Sequence, residues 1–291
     1  MAAKEKVTGA SCPRIGAHVS AAQGLFRAVE NAQRIGAECF QIFGSSPRQW
    51  KVRLPSEDSV AAYRRSYEIS DLGPVVLHAA YLANLASPIP QVRMQSTESL
   101  AGHLAIAEKI GALGLVFHVG SGKGVPEEKA YGWVATGMQE VLKKVSGTSL
   151  LIMENTAGGG HRLGGLDDMR AILERAGGDK RIGVCIDTAH AFESGLLRYT
   201  KKDIRRYFDE LERSIGLDRL TAIHANDSKT PFDSHLDRHE NVGEGHIGLR
   251  GFRNLAKERR LHAVPWFIET PGFDQLGPDK KNIDALRSCF I

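Results

Sequence analysis

The chain has 291 residues, of which 42% are hydrophobic and 25% are charged, an ordinary composition with enough apolar side chains for a large core. Its formal net charge of +4 neither requires nor excludes a polyanionic partner such as nucleic acid. The longest apolar runs are too short to span a membrane, and the N-terminal MAAKEKVTGASCP lacks the apolar stretch of a secretory signal, so we expect no membrane partner.

In chain order, we expect residues 1–12 to form a loose tail and residues 13–291 to form one domain, in which eight short apolar runs recur. The runs are RIGAHV (14–19), CFQIFG (39–44), VVLHA (75–79), LGLVFHVG (113–120), SLLIMENT (149–156), IGVCIDTAH (182–190), LTAIHAND (220–227) and VPWFIETPG (264–272). Continuous apolar runs are typical of parallel strands that are buried on both faces.

Segments with helical periodicity separate these runs, and several of them end in a glycine, as at Gly36, Gly111 and Gly216, which indicates a helix C-terminus. The sequence STES at 96–99 resembles a helix start. Eight strand–helix units predict an α/β protein with a single (β/α)8 TIM barrel.

The chain has four cysteines, and none of them forms a C-x-x-C pair. Cys39 and Cys185 lie in strand-like runs and are expected to be buried thiols, which fits a reducing, cytoplasmic location.

Polar residues end most of the predicted strands. They are His18, His78, His118, Glu154, Asp187, His224 and Glu269. The carboxyl ends of barrel strands converge on one mouth, so these side chains are expected to meet there. His190 follows Asp187 by one helical turn, and Asp237 and His239 stand together in HLDRH. Imidazole and carboxylate groups are zinc-type ligands, so the sequence predicts a multinuclear metal site.

Longer strings around these residues identify a resemblance. In chain order they are IGAHVSAAQG, SSPRQW, LHAAYLANL, FHVGS, MENTAGGG, GVCIDTAHAF, HANDSK, DRHENVGEGHIG and IETP. In these strings the chain resembles endonuclease IV, a family of metal-dependent apurinic/apyrimidinic endonucleases, from about residue 14 to about residue 272. Val119, Ala79 and Ala80 depart from the family pattern without removing a ligand, and we expect them to alter loop stiffness or the hydrogen bonds that support the ligands.

The resemblance implies three Zn²⁺ ions per monomer. One would be bound by His78, His118 and Glu154, and Glu154 would bridge to a second, which also takes Asp187, His224 and Glu269. The third would be bound by His190, Asp237 and His239. Manganese at one position is compatible with these ligands.

The resemblance also implies the reaction. A hydroxide bridging two metals would attack the phosphorus 5′ to an abasic sugar, leaving a 3′-hydroxyl and a 5′-deoxyribose phosphate. The substrate would be duplex DNA with abasic sites or blocked 3′ ends, and the protein would act as a monomer without an obligate protein partner. We predict Glu154 and Glu269 as catalytic residues. Glu269 would orient or deprotonate the nucleophile, or it would serve only as a ligand.

Three residues match the positions with which the family enters the DNA duplex: Arg48, Tyr81 and Leu82. A planar cation and an aromatic ring can fill a gap in the base stack, and the alternative for Tyr81 and Leu82 is packing against the barrel rim. Weaker candidates for this surface are Gln49, Trp50 and Asn84.

His18 would contact phosphate or support the site through hydrogen bonds. Asn226, Asp227 and Lys229 would orient ligands or contact phosphate, although a lysine in a loop is commonly just solvated. We assign no role to five other histidines, His103, His161, His235, His246 and His262.

Two rival functions remain open from the sequence. A sugar isomerase or epimerase of the xylose isomerase-like superfamily would use the same kind of barrel mouth with fewer metals, and the set of His190, Asp237 and His239 argues against it. A protein that binds damaged DNA without cutting it would not need nine metal ligands.

Overall fold

The computed structural model describes residues 12–159 and 161–291, so the predicted tail lies outside the described residues apart from Cys12. The strands are β1 (Ile15–His18), β2 (Phe40–Phe43), β3 (Val75–His78), β4 (Gly114–His118), β5 (Leu150–Glu154), β6 (Ile182–Asp187), β7 (Leu220–His224), β8 (Asp227–Ser228), β9 (His239–Glu240) and β10 (Trp266–Ile268). The helices are α1 (Leu25–Arg34), α2 (Glu57–Glu68), α3 (Pro90–Ile110), α4 (Glu127–Lys144), α5 (Leu166–Arg175), α6 (Thr188–Glu193), α7 (Lys201–Ser214), α8 (Gly248–Leu255) and α9 (Lys280–Arg287).

Eight of the strands form a closed barrel in the order β1-β10-β7-β6-β5-β4-β3-β2, and every neighbouring pair is parallel. Ile15 of β1 pairs with Trp266 of β10, which closes the ring. Helices separate consecutive barrel strands, and each of the eight predicted runs contains one barrel strand, so the predicted TIM barrel is confirmed.

Two separate groups of buried side chains make up the core. The smaller group contains Cys39, Val76, Val116, Ile152, Cys185, Ala222 and Phe267. Most members precede a predicted metal ligand by two positions, as Val76 precedes His78 and Ile152 precedes Glu154. Because side chains alternate along a strand, the predicted ligands share the inner face of the barrel with this group. The larger group joins the strands to the surrounding helices, and both Cys39 and Cys185 are fully buried, as predicted.

The predicted helix start at STES is wrong, because α3 begins six residues earlier, with Pro90 in its first turn. The hydroxyls of Ser96 and Thr97 donate to the carbonyl oxygens of Val92 and Arg93, one turn back within the helix, instead of capping it. Serine and threonine are compatible with both arrangements, and proline lacks the N–H that an interior helix position would need. The glycine at the other end, Gly111, has a φ of 73° and ends α3 as predicted.

A small antiparallel sheet stands beyond the barrel strands. Ser228 of β8 pairs with His239 of β9, so the segment after β7 turns back on itself over residues 229–238. This pairing brings the HLDRH segment back to the end of β7, at the mouth of the barrel. Within the described residues, no helix is long and apolar enough to cross a membrane.

Candidate metal centre

Strand geometry brings the predicted ligands together at the carboxyl end of the barrel. His78, His118, Glu154, Asp187 and His224 are the last residues of β3 to β7, and Glu269 directly follows β10. Four groups of these residues, each with ligand atoms within 4.8 Å of one another, could hold a metal ion. They are His78, His118 and Glu154; His78, His224 and Glu269; Glu154, Asp187, His224 and Glu269; and Asp187, His190 and His239.

Glu154 lies at the centre of this arrangement and is fully buried. Its Oε2 is 3.1 Å from Nε2 of His78 and 3.1 Å from Nε2 of His118. Its Oε1 is 2.9 Å from Nδ1 of His224 and 3.5 Å from Nδ1 of His190. The two carboxylate oxygens therefore face different sets of imidazoles, which is the arrangement that a bridging carboxylate needs.

His190 joins the centre through a local helix-capping pattern. Asp187 is the N-cap of α6, and its Oδ1 accepts the backbone N–H of His190 at 2.9 Å. An N-cap and the residue three positions later are held on one side of the first turn, which explains the Asp-x-x-His spacing. Asp237 Oδ1 then lies 3.4 Å from His190 Nε2 and 3.7 Å from His239 Nε2.

Hydrogen bonds on the far side of each imidazole fix which nitrogen faces the centre. His78 Nδ1 lies 2.9 Å from the carbonyl oxygen of Ala79, and His190 Nδ1 lies 2.9 Å from that of Asn155. His224 Nε2 lies 2.9 Å from Oε1 of Gln41. Each of these acceptors requires a proton on the histidine nitrogen next to it, so in the neutral imidazole the other nitrogen, which faces the carboxylates of the centre, is the one that can bind a metal.

The residues present fit a metal. Nε2 of His190 and Nε2 of His239 are buried and have no hydrogen-bond partner among the described residues. Unpartnered buried nitrogen atoms are costly in a folded protein unless another group satisfies them. Burial would lower the pKa of His190, but the charges of Asp187 and Asp237 raise it well above its usual value, so the site strongly favours a positive charge.

The amide side chains of Gln41, Asn155 and Asn226 form hydrogen bonds with the predicted ligands. Of these three, only Asn226 was predicted from the sequence. The Asn226 amide nitrogen donates to Asp187 Oδ2 at 2.6 Å, and Asn226 Oδ1 accepts the backbone N–H of Glu269 at 2.7 Å. Gln41 donates to Glu269 Oε1 at 2.5 Å, and Asn155 Oδ1 accepts the N–H of Asp187 at 2.6 Å. Gln41 lies inside an apolar run, and its only signal was a polar residue at a strand position that faces the barrel interior.

Of the two other predicted supporting residues, His18 lies beside the site and Lys229 is exposed to solvent. His18 Nδ1 is 3.1 Å from Gln41 Nε2 and 3.9 Å from Glu269 Oε1. Burial lowers the pKa of His18 to about 4, so this histidine is neutral and accepts from Gln41. Lys229 is exposed, and its backbone N–H donates to Arg238. Its side-chain role stays a prediction.

Asp227 holds a loop beside the site. This buried carboxylate accepts the backbone N–H groups of Gly243, Gly245, Ile247 and Gly248, at 2.9 to 3.3 Å. It thus fixes the GEGHIG segment to the start of β8, rather than orienting a metal ligand.

We expect Asp227→Ala to lower the free energy of unfolding by about 3 kcal/mol, because several buried N–H groups lose their acceptor. Urea denaturation of the metal-free protein would measure this loss. Asp218 is the matched control, because it is an exposed aspartate just before β7, the strand that precedes β8. A loss no larger than that of Asp218→Ala would contradict the assigned role.

The three predicted DNA-contacting residues lie in the loops after β2 and β3, which are adjacent strands. Arg48 is exposed, and Tyr81 and Leu82 are 68% and 38% exposed. The Tyr81 ring contacts Phe43 edge-on, with ring centres 5.3 Å apart, and leaves most of its surface to solvent. Packing against the rim therefore accounts for only part of the Tyr81 surface.

The three weaker candidates for the DNA-contacting surface differ in how far they are engaged by the protein itself. Asn84 uses both ends of its amide on the backbone of Ser121, which links two loops of the rim. Gln49 is exposed, and Trp50 is half-buried. His103, a histidine without an assigned role, is buried in α3 and contacts the hydroxyl of Ser45 at 3.2 Å, which ties the Arg48 loop to the barrel.

The three residues that depart from the family pattern, Ala79, Ala80 and Val119, are buried apolar residues.

Comparison with known proteins agrees with this geometry. The family described as a xylose isomerase-like TIM barrel matches residues 29–289. A protein of Aquifex aeolicus named "Probable endonuclease 4" is 36% identical over 278 residues, which cover 94% of this chain and 97% of the relative.

Solved structures extend the comparison. The crystal structure of endonuclease IV from Thermus thermophilus has a TM-score of 0.83 and 33% identity, and the match covers 95% of this chain and 98% of that one. A D-tagatose 3-epimerase-like protein has a TM-score of 0.67 and 18% identity, with 95% and 96% of the two chains covered. The likeness to that second protein shows the barrel fold alone.

Proposed function

Because the chain belongs to the endonuclease IV family of xylose isomerase-like TIM barrels, we propose that it hydrolyses the phosphodiester bond 5′ to abasic sites in duplex DNA. The products would be a 3′-hydroxyl and a 5′-deoxyribose phosphate. Removal of blocking groups from 3′ ends would use the same phosphoester chemistry. The observation that carries the proposal is the set of imidazole nitrogens and carboxylate oxygens that converge at the barrel mouth.

The metal cofactor of the proposal is three Zn²⁺ ions, with manganese compatible at one position. His78, His118 and Glu154 would hold one ion, and Glu154, Asp187, His224 and Glu269 would hold the second. His190, Asp237 and His239 would hold the third. The unpartnered buried nitrogens of His190 and His239 support this third assignment. When bound, such metals stabilise the charge that develops on the phosphate and lower the pKa of water.

The chain's own residues would position the attack. The side chain of Glu269 is 17% exposed, whereas those of Glu154 and Asp187 are fully buried, so Glu269 is the carboxylate that can meet a water at the mouth. Neighbouring histidines hold the pKa of Glu269 at about 2 against the effect of burial, so this carboxylate is ionised and can accept a hydrogen bond from a water molecule. The amide nitrogens of Gln41 and Asn226 donate to its two carboxylate oxygens, Oε1 and Oε2, and fix its orientation. Glu269 would therefore orient the nucleophile in addition to binding metal.

Damage recognition would come from the rim. The exposed Arg48, Tyr81 and Leu82 lie in the loops after β2 and β3, and they would enter the duplex where the abasic sugar lies. An abasic site has no base to unpair or unstack, so its extrusion costs less than that of a normal nucleotide, and this difference would supply selectivity. We propose that the protein acts in the cytoplasm as a monomer, without an obligate protein partner.

The sugar isomerase or epimerase alternative has less support. The likeness to the epimerase-like structure extends to the fold alone, and such an enzyme needs fewer metals than this mouth can hold. His190, Asp237 and His239 lie beyond the ends of the barrel strands and would have no part in that chemistry.

The proposal predicts that the protein cuts a duplex oligonucleotide once, 5′ to a tetrahydrofuran abasic analogue, without added Mg²⁺. This analogue cannot undergo β-elimination, so a cut must be hydrolytic. Prolonged chelation should abolish the cut and Zn²⁺ should restore it. Gel separation of the labelled strand would give the position of the cut. If a protein that retains its metals produces no cut, the proposal is wrong and the sugar isomerase alternative gains support.

A further inference from the structure

A buried glutamate that has no part in the proposed ligand sets lies beside the third one. Glu193 is the last residue of α6, one helical turn after His190, and it is fully buried. Residues three apart on a helix lie on the same face. Ligand atoms of His190, Glu193 and Asp237 lie within 4.8 Å of one another.

The two carboxylate oxygens of Glu193 have different surroundings. Oε1 accepts the hydroxyl of Ser228 at 2.7 Å and the backbone N–H of Arg238 at 3.2 Å. Arg238 stands between Asp237 and His239, so Oε1 holds the segment that carries these two ligands. Oε2 is buried and has no hydrogen-bond partner among the described residues.

An unpartnered buried oxygen of this kind needs an explanation. An ionised carboxylate oxygen requires a hydrogen-bond donor or a cation; Oε2 has no donor, and no ion pair within 4.0 Å joins Glu193 to a lysine, arginine or histidine of the described residues. A protonated carboxyl would require an acceptor for its O–H, and Oε2 has none among the residues that the structure describes. A metal ion at the third position would satisfy Oε2 together with Nε2 of His190, which is also buried and unpartnered there.

We propose that Glu193 is an additional ligand of the third metal position, with Oε1 holding the loop and Oε2 facing the metal. This inference rests on the metal centre proposed above and adds a second carboxylate to that position. A second carboxylate would bring more negative charge to the position and tighten its hold on a divalent cation.

Glu193→Gln separates the two roles of the side chain. The amide oxygen can still accept from Ser228 and Arg238, whereas the amide nitrogen cannot bind a cation. After chelation, we would titrate the metal-free protein with Zn²⁺ in competition with a chromophoric chelator. We expect the wild type to take up three ions and E193Q to bind one of them at least about tenfold more weakly.

Two further variants control the titration. Ser228→Ala removes the shortest hydrogen bond to Oε1 but leaves Oε2 unchanged, and we expect its zinc affinities to stay close to those of the wild type. Glu244→Gln removes an exposed carboxylate from a nearby loop and should bind zinc as the wild type does. If E193Q binds all three ions as tightly as the wild type, or if S228A weakens one site as much as E193Q does, Glu193 acts only through the loop and the inference is overturned.

A second measurement needs no variant. In a crystal structure of the zinc-loaded wild type, we expect a Glu193 oxygen within about 2.0–2.2 Å of a zinc ion. A zinc bound by His190 and Asp237 with Glu193 outside this distance would overturn the inference. A wild type that takes up no zinc at all would instead remove the proposed metal centre itself, so the two failures are distinguishable.

Discussion

Replacing Glu154 by glutamine is expected to lower the rate of abasic-site incision by about three orders of magnitude and to lower the zinc content. The loss of a single electrostatic stabiliser already costs about 10²–10³ in rate, and Glu154 contacts four histidines of the centre. Glutamine keeps the size of the side chain but has neither its charge nor two oxygen ligands. Single-turnover incision, together with metal analysis of the purified protein, would measure both effects.

The control for this variant is Glu174→Gln, which alters a carboxylate of α5 that is largely exposed. His224→Ala should behave as Glu154→Gln does, because His224 faces Glu154 and Glu269 from another strand. If either Glu154→Gln or His224→Ala keeps full zinc and full activity, the assignment of the metal ligands is wrong.

The double replacement of Arg48 and Tyr81 by alanine is expected to weaken binding to abasic DNA by about 10- to 100-fold without changing the metal content. A stacked aromatic side chain contributes about 1–3 kcal/mol to nucleic-acid binding, and Arg48 adds a cation beside the phosphates. Both side chains are exposed and lie in loops outside the barrel strands, so their loss should leave the barrel intact. The dependence of single-turnover incision on protein concentration would measure the binding.

Ile69→Ala is the matched control for the rim, because Ile69 is 89% exposed and lies before β3, at the opposite face of the barrel from the mouth. Its removal should change neither binding nor metal content. Unchanged binding by the double variant would assign Arg48 and Tyr81 to packing of the rim. A loss of metal would mean that the effect on DNA is indirect.

The barrel was predictable because its signal is repeated. Each strand is a short apolar run, and polar residues such as His78 and Glu154 interrupt the runs where the strands end. Parallel topology alone then brings these residues to one mouth, so their proximity follows from the sequence without any knowledge of side-chain orientation.

Other parts of the site could not be predicted, because they depend on contacts that leave no pattern in the sequence. The return of Asp237 and His239 to the mouth depends on a two-residue pairing between β8 and β9, which is too short to leave a periodic signal. Gln41 and Glu193 become significant only through their neighbours, because a single polar residue within an apolar run or a short helix has many structural explanations. The helix start at STES was misplaced for a similar reason, because serine and threonine suit both a cap and a helix interior.

The pairing of β1 with β10 affects how the protein becomes active during its synthesis. Ile15 and Ala17 find their partners Trp266 and Ile268 only after the chain through β10 has left the ribosome, and Glu269 follows directly. Contacts between residues so distant in sequence form late, because the intervening chain must first be ordered. A nascent chain that ends before β10 therefore lacks the strand that closes the barrel and the ligand Glu269, so it cannot assemble the complete centre. This order would protect cellular DNA from partly folded copies.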